Sequence, residues 1–482
     1  MRNPFTPFRF LPWIIACTLS ACAPQAPDAD PPPDTASRPS AEVITLATQR
    51  TFCPTASTDV KYNHELVIHD AMTLSDPCRT TGKGCTVPAN ALKWNFMYLM
   101  RQAAGGDRLS EKDVSAFTLN WLYSYVDTPT VNGQTLESRP GMLSMVINPW
   151  RTRSGCTTNR LVPCELKAEY APLRLLAVVN RMDTRKGSTV YYGDGLAGEG
   201  RLVFGFVDDA GTPVQATVIL EYDLPAVDSK DVMEWALLWH SLKPLDPMMS
   251  SFGDRLQEIT DGFTKNGVKT RSRVNGGSAL MRLRSGEFAF VSPTAKVKYH
   301  EFREFQLRCP SGDVLCEARG QGAQLLPVPT AQTPQIKYQS EMTFRNQLTA
   351  FLNANEPDVL AEKHMVPTSY LAGAAQIEPG AGAFFWYPTP SNRTVRRLFA
   401  LSTCSGCHFT ETQSVLDATP AGFMISPING NLSRFLNGPI AVNDPLEGIV
   451  SYDEKLRRQC EFQHLLKGNV EKTLTTAAGR SH

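Results

Sequence analysis

The chain has 482 residues, with 48 Lys and Arg against 47 Asp and Glu and a formal net charge of +1. So balanced a charge offers no basic field for nucleic acid and no acidic excess, which excludes partners chosen by bulk electrostatics. Twelve cysteines point to a compartment that permits oxidation.

Residues 1–22 read as a lipoprotein signal peptide. Arg2 and Arg9 make a thinly basic start, and Leu11 to Leu19 is an apolar stretch too short to span a bilayer. It closes on Leu19-Ser20-Ala21-Cys22, which resembles the lipobox read by the bacterial lipoprotein signal peptidase. Cleavage before Cys22 leaves that residue as the lipid-bearing, palmitate-type membrane anchor. An ordinary signal peptide followed by an incidental cysteine explains fewer of these residues. Ala23, after the anchor, matches the outer-membrane sorting pattern of Gram-negative lipoproteins, so the expected location is the bacterial cell envelope, facing the periplasm or the cell surface. Residues 23–45, with Pro31-Pro32-Pro33, form a Pro-rich tether. No later segment approaches the roughly 18 consecutive apolar residues of a membrane span. About 440 residues remain, enough for two or three packed units.

Residues 46–140 read as a helical region. Leu92, Phe96, Met97 and Met100 recur at helical spacing, and Ser110 with Asp113 opens a further helix ending near Tyr125. Residues 141–345 read as a β-rich body with strands at Leu173–Asn180, Arg201–Val207, Val214–Tyr222 and Glu287–Val291. Asp209-Ala210-Gly211-Thr212 makes a hairpin turn. A helix over Val232–Leu242 puts Trp235 and Trp239 in the core, with His240 as a structural histidine. Gly193-Asp-Gly195-Leu-Ala-Gly198 matches a dinucleotide-binding fingerprint, but a strand follows where a helix N-terminus must receive the pyrophosphate; a loop is the better account. Glu221 and Asp223 share a strand face and invite a glycosidase reading, which nothing else supports.

Setting aside Cys17 and Cys22, ten cysteines remain. Proximity predicts disulfides Cys78–Cys85, Cys156–Cys164 and Cys309–Cys316, each stapling one loop and worth roughly 2.5 kcal/mol. Cys53 and Cys460 are left to join the start of the body to its end.

Residues 346–482 read as a mainly helical, cytochrome c-like region, completing an α+β fold. Cys404-Ser-Gly-Cys407-His408 is a C-x-x-C-H, the attachment pattern of c-type haem. Two thiols on one turn can add to two vinyl groups of a porphyrin edge, and the adjoining imidazole then lies under the iron. Chance is a poor rival, because the composition gives an expectation below about 1%. The remaining rivals are a Cys404–Cys407 disulfide and a zinc site, which needs further ligands. Val395, Leu398, Phe399 and Ser402 place the motif near the C-terminal end of a helix capped at Ser391 or Asn392. A second helix, Tyr452–Lys467, is expected to pack back on it. Met424, sixteen residues after His408, is the candidate sixth ligand, with His464 as the runner-up. Arg396 and Arg397 are candidate partners for the haem propionates.

Leu175–Asp183, Gly198–Gly205, Val218–Pro225 and Leu401–His408 together resemble a family of large, uncharacterised Gram-negative bacterial lipoproteins, over most of residues 165–440. In that family Asn often stands at the place of Ser405 and a histidine near Met424, so the resemblance implies an axial-ligand position there. It implies no substrate. The expected function is electron transfer by one covalent haem c, with redox proteins of the envelope as partners. Two alternatives stay open: a haem peroxidase or oxygenase with an open distal site, and a haem-free, disulfide-stapled binding lipoprotein.

Overall fold

Alternation builds the sheet. Along Glu199–Val207, Leu202, Phe204 and Phe206 fall on one face while Glu199, Arg201 and Val203 fall on the other. The computed structural model describes residues 59–86, 92–185, 197–270, 272–292, 299–377, 385–412 and 423–468. Its main feature is an eight-stranded antiparallel sheet formed by β1 (Val67–Ile68), β2 (Leu173–Arg181), β3 (Glu199–Val207), β4 (Pro213–Asp223), β5 (Leu280–Glu287), β6 (His300–Arg308), β7 (Gln324–Val328) and β8 (Ala375–Ile377). The strands run in that order from β1 to β6. The far edge of β6 is then shared, with β8 along 300–302 and β7 along 304–308.

The apolar face packs on helices. In α1 (Phe96–Ala104) and α2 (Glu111–Tyr123), Phe96 meets Phe204 with ring centroids 5.5 Å apart and Trp121 meets Phe305 at 6.3 Å. The capping box at Ser110 and Asp113 starts α2 as expected. The Trp-bearing helix α3 (Ser229–His240) and α4 (Ser250–Thr264) extend this layer, and Phe263 reaches Tyr222 at 5.6 Å. His240 donates to or accepts from Glu65 at 2.7 Å, a structural role.

The opposite face is charged, and it is buried. Arg181, Glu199, Arg201, Glu221, Arg282, Arg284 and Glu304 are each at most 5% exposed. The register sets opposite charges side by side, Arg201 against Glu221 and Arg284 against Glu304, with contacts of 3.2 Å in both pairs. The C-terminal part holds α5 (Met342–Ala354), α6 (Arg393–Leu401), the one-turn α7 (Cys404–Cys407), a hairpin of β9 (Ile440–Asp444) and β10 (Gly448–Tyr452), and α8 (Glu454–Leu466); Cys404 of α7 and Arg458 of α8 border the same cavity as Arg201 and Arg284 of the belt. The described residues form one compact unit.

Several expectations change. The strand expected at Glu287–Val291 ends at Glu287, whose carboxylate accepts the Phe290 amide at 3.0 Å and turns the chain out of the sheet. Helix α8 does not return to α6; it packs on α3 and on residues 434–437, with Arg457 held to Asp183 at 2.9 Å. Instead, α6 joins a smaller core with Leu348, Leu352 and Trp386. Glu221 and Asp223 are not an open carboxylate pair, since Glu221 sits among Arg201, Arg282 and Arg284, and Asp223 pairs with Lys269.

Three disulfides form as expected, Cys78–Cys85, Cys156–Cys164 and Cys309–Cys316. Cys460 is disulfide-bonded, whereas Cys53, its expected partner, lies outside the described residues. So do Cys22, the 23–45 tether, Gly193 and Gly195. Among the described residues no helix is long and apolar enough to cross a membrane.

Phe305, fully buried between Trp121 and Tyr125, anchors the sheet to α2. Phe305→Ala is expected to destabilise the protein by about 3–5 kcal/mol, read as a lower urea midpoint with an unchanged slope.

Candidate functional site

The C-x-x-C-H segment occupies its own turn, not the end of α6. Asn392 caps α6 by accepting the Thr394 amide at 3.1 Å, and the helix stops at Ser402, whose hydroxyl donates to Phe399 O at 2.6 Å. Thr403 then restarts the chain: its Oγ1 accepts from the Gly406 amide and from Trp386 Nε1, both at 2.9 Å. The Cys404 amide donates to Thr333 Oγ1 at 2.8 Å, and the His408 amide closes the turn on Cys404 O at 3.0 Å. Gly406 is required by packing, because a Cβ there would lie 2.1 Å from Ala400 O.

A buried ionic frame stands behind this turn. Arg396 donates to Glu411 at 2.6 Å and to Trp386 O at 3.1 Å, and also meets Asp444. Arg397 pairs with Glu447 at 2.9 Å. Neither arginine borders the cavity described next, so their expected role with propionates is corrected; their partners are carboxylates of the chain itself. Burial pushes the Glu411 carboxyl up to about 7, against the pull of Arg396.

Between the charged belt and the turn lies a cavity of about 70 Å³, partly open to solvent and well below the roughly 300–1,000 Å³ usual for small-molecule sites. Cys404, His408 and Met424 all border it. Cys407 faces the main core behind them, and both cysteines are buried thiols. His464 does not border the cavity. The His408 ring lies 4.6 Å from Phe302, which stacks on His300 at 4.5 Å, and His300 lies 4.7 Å from Phe423. The Ser433 hydroxyl donates to Met424 Sδ at 3.3 Å, fixing the thioether.

Sequence reasoning missed two parts of this wall. His300 carries no spacing signal, since β8 and residue 423 reach it only through the fold. Two of the arginines were legible in principle, as Arg282 and Arg284 stand at alternate positions about Leu283, but alternation of that kind normally marks a solvated face. Among the described residues there is no cluster of three or more His, Cys, Asp or Glu side chains placed to hold a metal ion. Cys404, Cys407 and His408 are therefore not gathered about one centre, as a zinc site would require. A porphyrin needs less of the chain: two thiols at one edge and an axial group on each face. Of that set the wall holds Cys404, His408 and Met424; Cys407 lies behind it, and the cavity as it stands is smaller than a porphyrin.

No protein-family description matches this chain, and no curated protein or solved structure matches it either.

Glu411 gives a pH test of the frame. Its folded value of about 7 stands above the ordinary 4.5, so the folded protein keeps a proton that the unfolded chain has released. That contribution is complete below pH 4.5 and is lost as the pH rises through 7. Relative to Glu411→Gln, which cannot titrate, the native protein is expected to lose about 3 kcal/mol between pH 4.5 and 7, measured by urea unfolding of both proteins at fixed ionic strength.

Proposed function

We propose that this chain is a bacterial cell-envelope lipoprotein, anchored through Cys22, which carries one covalent haem c beneath the Cys404–His408 turn and passes electrons between envelope proteins. One observation carries the reading: Cys404, His408 and Met424, singled out for attachment and ligation, border the same cavity. Bound there, the haem supplies one-electron chemistry through ferric and ferrous iron. Cys404 and Cys407 would hold the porphyrin, His408 would offer its imidazole, and Met424 would offer a thioether that accepts from Ser433. Phe302, Phe423 and Ile425 keep the site apolar, and exclusion of water is one of the levers on a haem potential.

The resemblance to uncharacterised Gram-negative lipoproteins belongs to the same proposal, as do the outer-membrane destination and the cytochrome-like character of residues 346–482. Met424 on the cavity wall favours electron transfer over a peroxidase or oxygenase, which needs an open distal side. The haem-free alternative calls for a Cys404–Cys407 bridge in place of two thioethers, which an intact mass distinguishes.

The test is the intact mass and visible spectrum of the mature protein from a host with haem-maturation machinery. The expected result is a mass gain of one haem with a low-spin spectrum, both abolished by Cys404→Ala with Cys407→Ala. Met424→Ala is expected to retain the haem mass, lower the reduction potential and let the reduced protein bind carbon monoxide. A polypeptide with no haem mass from such a host overturns the reading.

A further inference from the structure

Methionine normally fills irregular gaps in a core, and Met97, Met100, Met142 and Met182 do so here. Among the described residues five methionines are exposed instead, Met72, Met248, Met249, Met342 and Met365. The first three stand together, at 49%, 56% and 58% exposure. A single turn over Met72–Leu74 brings them to one place. The Met72 amide donates at 3.2 Å to Pro247 O, the carbonyl to which Met248 is joined. Thr73 then lies against the first turn of α4, so closely that a Cβ on Gly253 would collide with its hydroxyl. Asp246 fixes the chain that carries the other two: its carboxylate accepts the Met248 amide at 2.9 Å and its carbonyl accepts the Met249 amide at 3.0 Å. Two braced backbone segments, spanned by one hydrogen bond, therefore present three flexible thioethers to solvent.

An exposed thioether is a liability in a compartment that permits oxidation, because it is converted to the sulfoxide. Leucine would cover the same surface without that liability. What leucine lacks is the sulfur lone pair. A thioether is a soft, neutral donor and favours Cu(I), whereas Mg2+, Ca2+ and Mn2+ prefer oxygen and Zn2+ takes imidazole, thiolate or carboxylate.

We infer that Met72, Met248 and Met249 form a surface site for Cu(I), each thioether giving one bond to the ion, with the solvent side left open. The site is independent of the proposed haem.

The probe is Cu(I) itself, offered anaerobically as its bicinchoninate complex with ascorbate present. Both the native protein and Cys404→Ala/Cys407→Ala are titrated, since the second has no buried thiols at the turn to take the ion. One Cu(I) per chain is expected to pass from the indicator to each. Loss of an outer partner alone costs a metal site about 10–100-fold in affinity, so removal of a ligand by Met72→Leu, or of two by Met248→Leu with Met249→Leu, is expected to cost at least tenfold. The triple variant should take no Cu(I), and Met342→Leu should behave as native. Leucine keeps the apolar surface and nearly the volume, so the urea midpoint should stay in place and the loss belongs to sulfur.

A thioether carries no proton, so the affinity is expected to be flat between about pH 5.5 and 8. A site built by His64 or His69, eight and three residues before Met72, would weaken as the pH falls through the imidazole range. Uptake by the native protein alone would assign the ion to Cys404 and Cys407. Either of these results, no uptake at all, or uptake unchanged in the triple variant overturns the site, and none of them bears on the haem.

Discussion

The molecule is organised around a sheet face on which charges are buried in a lattice. Neighbouring strands set side chains of one sign against side chains of the other, so Arg201, Glu221, Arg284 and Glu304 satisfy one another across three strand boundaries. Removing such groups from water is costly, and their mutual attraction roughly offsets the cost only when every partner is in position. What the lattice provides is specificity. A strand slipped by one residue would move all its charges to the apolar face, against Phe96 and Trp121.

The same requirement ties the C-terminal half to the body. Helix α8 brings Arg457 to Asp183 and also holds Gln459 against Val60 O at 2.8 Å, so the chain closes on its own beginning. The cavity survives within this closure because the guanidinium stems and the aromatic rings cannot tile the space completely. The turn that borders it is held from behind by Arg396, Glu411 and Trp386, a rigid backing on which His408 and Cys404 keep their orientation.

Local signals were legible in the sequence. Gly211 marked the β3–β4 turn, Ser110 and Asp113 marked the start of α2, and short spacings identified three disulfides. The C-x-x-C-H segment and Met424 were also singled out, and they meet at one cavity. What failed was long-range. Strand β5 was hidden because Arg282 and Arg284 look like solvent-facing residues until Glu221 and Glu304 arrive from neighbouring strands. The hairpin β9–β10 fell inside a stretch read as helical, and Arg396 and Arg397 were assigned to a ligand because Glu411, Asp444 and Glu447, their true partners, are 15, 48 and 50 residues away. Periodicity reports which face of an element is apolar; it does not report what the other face meets.

Cys404 and Cys407 are only 2% and 3% exposed, and that bears on the order of assembly. A reagent as large as a macrocycle cannot reach such sulfurs through the finished wall. If haem is attached at this turn, as proposed, attachment would precede the burial of Cys404 and Cys407. On that proposal maturation and folding are successive, and a chain that closed early would be sealed against the reaction.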